Sequence, residues 1–386
     1  MSKRPWLTRN VFFIGLVSLF TDIATEMAVP LFPKFLESMG GGARVLGLIE
    51  GASDALSSLL KYFTGKWSDL SGKRRPWVLA GYLLSSAARP FLALATASWH
   101  VLAIRMTDRT GKGLRSSPRD ALIADSVPER SRGAAFGFHQ GMDHVGAVLG
   151  PLAAVAILIF SHDDLRLVFA LAAIPGAVAV LTLWSGVTEI AKQGLGKARA
   201  ALPSAAPGLF PVLLPLGLFT LGNASDLFLL KKAGGDMPLY SVCLLWSAFH
   251  VVKASASLPG GHLSDRIGPR LTISLGWLLY AAIYFGFAMV QGAGGFLVLF
   301  VVYGLYFGLT EGAEKAWIAS LVPPEQRATA FGWYYLVTGV LALPASLAFG
   351  WIWDLVSPQA AFLSGSGLAL SALACLWFLR PAKQRP

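Results

Sequence analysis

Asp22 and Glu26 stand four residues apart inside an apolar run, so a helix would place them on one face, one turn apart. Glu50 and Asp54 repeat that spacing in the next run, with Lys61 further along. Asp143 lies near the middle of a later run, flanked by His139 and His144. Asn223 with Asp226, His250 with Lys253, and Glu311 with Glu314 and Lys315 mark three more. If these runs cross a bilayer, each charge costs at least about 2.5–3.5 kcal/mol at its centre, a cost that selects for function. A carboxyl away from bulk water suits proton carriage, loading in its neutral form on one side and ionising on the other. Asp22, Glu26 and Asp143 lead that list. Alternatively, Asp22 or Glu50 forms a fixed ion pair with Arg89, Arg105 or Lys61. Glu314 and Lys315 read as a surface pair near the cytoplasmic end. His139 and His144 titrate in the useful range but read first as hydrogen-bonded packing residues. The full set expected to line a central, partly wet cavity is Asp22, Glu26, Glu50, Asp54, Arg89, Arg105, Asp108, Arg109, Asp143, Asn223, Asp226, Lys253 and Glu311.

The elements that must hold these groups follow from composition. Of 386 residues, 55% are hydrophobic and 14% charged, against about 25% charged in soluble domains. The mean hydropathy is +0.59. About twelve apolar runs recur, near 11–33, 45–66, 76–95, 98–114, 134–159, 167–187, 207–230, 239–260, 270–290, 294–317, 328–350 and 359–379, each close to the ~20 residues that span a hydrocarbon core as a helix. Lipid offers no partners to backbone N–H and C=O groups, so the runs must be helices. They are too long and too uniformly apolar for barrel strands.

A formal charge of +11 is compatible with a nucleic-acid partner until the positions are read. Lys3, Arg4 and Arg9 precede the first run; Lys66, Lys73, Arg74 and Arg75 follow the second; Lys112, Arg115, Arg119, Arg130 and Arg132 follow the fourth; Lys192, Lys197 and Arg199 follow the sixth. Arg266 and Arg270, Arg327, and Arg380, Lys383 and Arg385 continue the pattern after the eighth, tenth and twelfth. All fall on one side if the helices alternate, which sets both termini in the cytoplasm and makes the basic balance a matter of topology and anionic lipid. No nucleic-acid partner is expected. The first run continues through Pro30, Leu31 and Phe32 without a small-residue cleavage site, so it reads as a retained helix. Cys243 and Cys375 offer no disulfide or thiolate metal framework, and neither metal nor cofactor is expected.

Internal repetition sharpens the outline. Gly65, Ser68, Asp69, Gly72 and Arg74 after the second run match Gly261, Ser264, Asp265, Gly268 and Arg270 after the eighth. Val127-Pro128 through Arg132 and Ala135-Phe136-Gly137 are echoed by Val322-Pro323 through Arg327 and Ala330-Phe331-Gly332. A duplicated six-helix unit follows: 1–187, a polar cytoplasmic linker over 188–208, and 209–386.

On these residues the chain resembles the major facilitator superfamily over essentially its full length. Gly65-x-x-Ser68-Asp69-x-x-Gly72-Lys73-Arg74 is similar to that superfamily's loop between helices two and three, and Gly146-x-x-x-Gly150-Pro151 resembles the fifth-helix motif of its exporting antiporters. Thr21-Asp22-x-x-x-Glu26-Met27-x-x-Pro30, Asp108-Arg109-x-Gly111-Lys112-Gly113-x-Arg115-x-x-Pro118-Arg119-Asp120-Ala121 and Leu221-Gly222-Asn223-x-Ser225-Asp226 resemble a bacterial subgroup of permeases. The superfamily's fourth-helix pattern places Gly four residues after its Arg; Arg109 holds that place after Arg105. The resemblance implies an all-α membrane fold of twelve transmembrane helices in two pseudo-symmetric six-helix bundles. It also implies a multi-pass, monomeric transporter of the bacterial inner membrane, with lipid around it and a small solute and protons as its partners.

The gating set is Gly65, Asp69, Gly72, Lys73, Arg74, Gly261, Asp265, Gly268 and Arg270, in which Asp69 and Asp265 are placed to meet the positive end of a neighbouring helix. Gly146, Gly150 and Pro151 allow close packing and a bend, and that packing face alone is the competing account of them. No phosphate-binding G-x-x-x-x-G-K-[ST] loop, zinc signature or nucleophile elbow is present, so an ion gradient rather than ATP is the expected driver and no enzyme is read. The expected function is proton-coupled export of a small amphipathic or drug-like solute by alternating access. A carrier of an organic anion or metal chelate, suggested by Lys61, Arg89, Arg105 and Lys253, and a non-transporting receptor are the alternatives.

Overall fold

Among the described residues each apolar run is helical over most of its length. In the computed structural model the first six spans are α1 Arg9–Glu26, α2 Ala43–Ser71, α3 Arg75–Ala88, α4 Ser98–Asp125, α5 Arg132–Ser161 and α6 Leu165–Gly186. The second six are α7 Phe210–Gly222, α8 Leu239–Ile267, α9 Pro269–Met289, α10 Ala293–Ser320, α11 Arg327–Leu355 and α12 Pro358–Phe378. The structure describes residues 5–40, 43–162, 164–190, 209–223, 226, 229, 239–290 and 292–379, and the side chains of some helical residues, Glu50 among them, lie outside the description. Ser225 and most of the expected 188–208 linker also lie outside it.

Among the described residues, seven helices are long and apolar enough to cross a membrane; they include α3, α5, α6 and α9 to α12. The helices bearing Asp22, Asp54, Arg105 and Lys253 are outside that set. Packing repeats with a shift of six helices. In the first half α1 packs on α6, and α2 and α3 on α4; in the second α7 packs on α12, and α8 and α9 on α10. The same small residue serves each copy. A Cβ on Gly113 of α4 would sit 2.6 Å from Leu60 Cβ of α2, and one on Gly308 of α10 would strike Ala256 of α8.

Helix ends follow backbone chemistry more than hydropathy. The first run was expected to reach residue 33, but α1 stops at Glu26 and a 3-10 turn, Val29–Leu31, takes over at Pro30, which has no N–H to continue the ladder. At Arg89-Pro90 α3 likewise tightens into a 3-10 segment, Arg89–Leu94. The fourth helix runs past the expected residue 114 to Asp125, because Arg115, Ser116, Ser117 and Asp120 are buried among protein groups rather than lipid. The described part of the seventh ends at Gly222, capped by Asn223.

By contacts the chain divides into two units. One comprises residues 1–128, 142–201 and 324–332; the other comprises 129–141, 202–323 and 333–386. The opening turns of α5 and α11 are therefore each counted with the unit that holds most of the opposite half of the sequence.

Candidate functional site

In the first unit the loop between α2 and α3 turns at Gly72, whose φ of 66° is left-handed and suits a residue without Cβ. Asp69 just before it accepts from the backbone N–H and the hydroxyl of Thr329, both at 2.7 Å, in the first turn of α11. Arg74, 1% exposed, donates to Asp69 Oδ1 and Asp125 Oδ2 at 2.8 Å and to the Pro324 carbonyl at 2.7 Å. Arg327 shares the other oxygen of Asp125. The backbone beneath is held by Glu189, which follows α6: its carboxylate accepts from the N–H groups of Arg74 and Arg75 at 2.8–3.0 Å. Gly65 lies so close to the Ala328 carbonyl that a Cβ would overlap it.

The second unit repeats the geometry, with no arginine on Asp265 among the described residues. Gly268, φ 88°, turns the loop, and Asp265 accepts from the N–H groups of Gly133 and Ala134, each at 2.8 Å, at the start of α5. Carboxylate on a helix N-terminus is favourable by charge and by hydrogen bonding alike. Arg270, at the position matching Arg74, leaves this group: it donates to the carbonyls of Leu376 and Trp377 and lies over the Trp377 ring at 4.5 Å. Gly261 meets Gly133 as Gly65 meets Ala328. Asp69→Asn is therefore expected to change labelling of a cysteine placed along the solute path several-fold more than Asp265→Asn, since of the two, among the described residues, Asp69 also anchors a buried guanidinium. Equal responses of the two variants would show that the ionic part of the first loop is idle.

Away from the loops, the first unit gathers charges on helix faces. A Cβ on Gly146 would stand 2.6 Å from the Leu19 carbonyl and 2.8 Å from Asp22 Cβ; one on Gly150 would stand 2.7 Å from Glu26 Cβ. These two glycines of α5 thus seat the face of α1 that carries Asp22 and Glu26. Asp143, one turn before Gly146, is within electrostatic range of Asp22, as are Glu26, Lys112 and Arg115. Arg109 meets Asp54 at 3.2 Å, with the Asp54 side chain 64% exposed. Arg89 and Arg105 both pair with Asp108, at 3.0 and 3.5 Å, and Arg89 also donates to the Thr21 carbonyl. Asp108, three residues along α4 from Arg105, is thus an acid on both arginines of the fixed-pair alternative, while the Glu50 side chain named in that alternative lies outside the described side chains. Arg105 also lies over the Phe32 ring at 4.6 Å.

In the second unit Tyr303 OH donates to Asp226 at 3.1 Å and Asn223 donates to Tyr306 OH at 3.3 Å, inside a cluster with Tyr280 and Tyr284. Gln140 bridges two residues of α10, donating to Glu311 at 2.7 Å and accepting from Lys315 at 2.9 Å. Glu314 and Lys315 are buried, 8% and 6% exposed, which corrects their reading as a surface pair. Hydropathy places a residue along the membrane normal but not by its neighbours; here Tyr334 OH donates to Glu314 at 2.8 Å. His139 is fully buried with its ring against Gln140. Sequence reasoning missed Gln140, Asp125, Glu189 and Thr329. Only Asp125 left a signal, two residues before the repeated Val-Pro pair.

Two six-helix bundles with matched packing, apolar spans and charged interior faces define a multi-pass helical membrane protein. The sequence matches the family described as the Major Facilitator Superfamily over residues 14–246 and 208–386, and the chain belongs to it. It is a transporter of that superfamily and not an enzyme. An uncharacterized transporter of the same type from Methanocaldococcus jannaschii is 31% identical, over 97% of this chain and 95% of its own. Sugar efflux transporter A of Dickeya chrysanthemi is 22% identical, over 98% of this chain and 97% of its own. Among solved structures, the human organic anion transporter MFSD10 has a TM-score of 0.80 at 18% identity, covering 95% of this chain and 99% of its own, a likeness of fold.

Proposed function

We propose that this chain exports a small amphipathic solute in exchange for protons by alternating access, in a bacterial inner membrane with both termini cytoplasmic. The observation that carries the reading is the seating of Asp22 and Glu26 against Gly146 and Gly150, with Asp143 in electrostatic range. Three carboxyls at one helix crossing cannot all stay ionised cheaply, and a proton shared among them is the simplest relief. The efflux activity named for the Dickeya relative supports the outward direction. The sequence halves 1–187 and 209–386, joined through 188–208, serve as the two moving halves, and the Asp69 and Asp265 contacts serve as locks made in one access state and released in the other. A carrier of an organic anion or metal chelate is the second reading, favoured by Lys253, whose ammonium meets aromatic faces.

The test is transport in liposomes under an imposed pH gradient. Wild-type protein should move solute and protons together, and Asp22→Asn should reduce gradient-driven flux more than tenfold while solute equilibration without a gradient persists. Gradient dependence that survives in Asp22→Asn removes Asp22 as the proton site.

A further inference from the structure

Lys253 lies near the midpoint of α8, in a side-chain environment that the loops and the Asp22 face do not use. It is 6% exposed. Among the described residues no acceptor lies within hydrogen-bond reach of its ammonium and no carboxylate within ion-pair distance. What it meets is aromatic: Nζ lies 3.6 Å from the centre of the Phe307 ring and 5.1 Å from that of Phe249. Asp226 is within electrostatic range and offsets part of the charge without reaching the ammonium, its carboxylate accepting from the Tyr303 hydroxyl. Glu311, one turn beyond Phe307 on α10, is engaged by Gln140.

Ring faces attract a cation, yet they recover only part of what burial of an ammonium costs, so a buried lysine facing rings is under-compensated. An anion that arrives and leaves would complete it. The surroundings also describe the rest of that anion. Phe249 stacks with Tyr303 at 5.6 Å with an interplanar angle of 3°, and Phe307 meets Tyr303 and Tyr306 at 5.2 and 4.5 Å. A wall of this kind suits a flat, apolar body, with the tyrosine hydroxyls supplying orientation. We infer that Lys253 is the charge-reading residue of the solute site, and that the solute class is a planar organic anion, an aromatic carboxylate in the simplest case, bound with its anionic group on Lys253 and its ring against Phe249 and Phe307. This rests on the reading of the chain as a carrier, and it narrows the solute from amphipathic to anionic.

The test needs no transport. Three probes with one ring system and different charge, 1-naphthoate, 1-naphthamide and 1-naphthylmethylammonium, are titrated by calorimetry into the purified full chain at neutral pH. Naphthoate should bind at least tenfold tighter than the other two. Lys253→Gln should weaken naphthoate at least tenfold and so abolish that preference, Lys253→Arg should retain it, and Phe307→Leu should weaken naphthoate several-fold. Equal affinities for the three probes, a preference that survives Lys253→Gln, or no saturable naphthoate binding by the wild type would each overturn the inference. The wild-type series decides the charge class even if a variant does not fold. Charge-selective binding without proton coupling in liposomes sinks the coupling alone, and coupling without charge selectivity sinks this inference alone.

Discussion

Protein carrying Arg74→Leu will unfold at a markedly lower temperature than the parent, with a loss of about 3–5 kcal/mol, the range for removing one partner of a buried ion pair. The side chain is 1% exposed and answers two carboxylates and a carbonyl at once. Leucine fills much of the volume, so the loss is electrostatic: Asp69 keeps Thr329 and Asp125 keeps Arg327, but no cation remains between them. Arg74→Lys restores the charge without the fork that reaches three acceptors, and should recover less than half of the loss. Arg270→Leu is the control from the other loop. Arg270 touches helix-end carbonyls and a tryptophan face, and its removal should cost about 1 kcal/mol. Thermal unfolding in detergent, followed by intrinsic fluorescence, separates the three. An Arg74→Leu protein as stable as Arg270→Leu would mean that the buried ions of the first loop are dispensable.

Gly150→Val is expected to abolish folded protein or transport. A Cβ there would lie 2.7 Å from Glu26 Cβ and 2.9 Å from the Ile23 carbonyl, and backbone cannot swing aside as a flexible side chain can. Overpacking of this kind costs about 1–3 kcal/mol or more in a close-packed interior, and here it also pushes α1 away from α5 where Asp22 and Glu26 sit. Gly367→Val in α12 is the matched control, since nothing lies within 4 Å of a Cβ at that position. Size-exclusion profiles of tagged protein report folding, and flux in liposomes reports function. If Gly150→Val behaves like Gly367→Val, close approach of α1 to α5 is unimportant.

The twelve spans and their duplication were legible because both are written in features that burial in lipid and repetition impose on every residue. The ends were not. Hydropathy stops at Leu114 since charged residues follow, whereas α4 continues because those charges are satisfied inside the protein. The repeat located Asp69 and Asp265, Gly72 and Gly268, and also Arg74 and Arg270, but register gives a position on the backbone and not the direction of a long side chain. Arg270 therefore kept the place of Arg74 without its partners. Pairing was the least legible layer. Arg89 finds Asp108 across 19 residues, and Gln140 reaches Glu311 across 171. Nothing in the chain order distinguishes these from the other acids available.

Under the proposed locking role, Glu189 bears on how readily the Asp69 contact can be made and broken. By accepting from the N–H groups of Arg74 and Arg75 it fixes the main chain under the lock. Breaking the Asp69–Thr329 contact then leaves the peptide beneath Arg74 in its shape and its guanidinium still on Asp125. Had the whole loop to loosen and reform, each residue would exchange about 1–2 kcal/mol of backbone entropy in every cycle. A loop that spares this exchange would keep the made and broken states of the proposed lock close in free energy, as a contact reversed in every transport cycle requires.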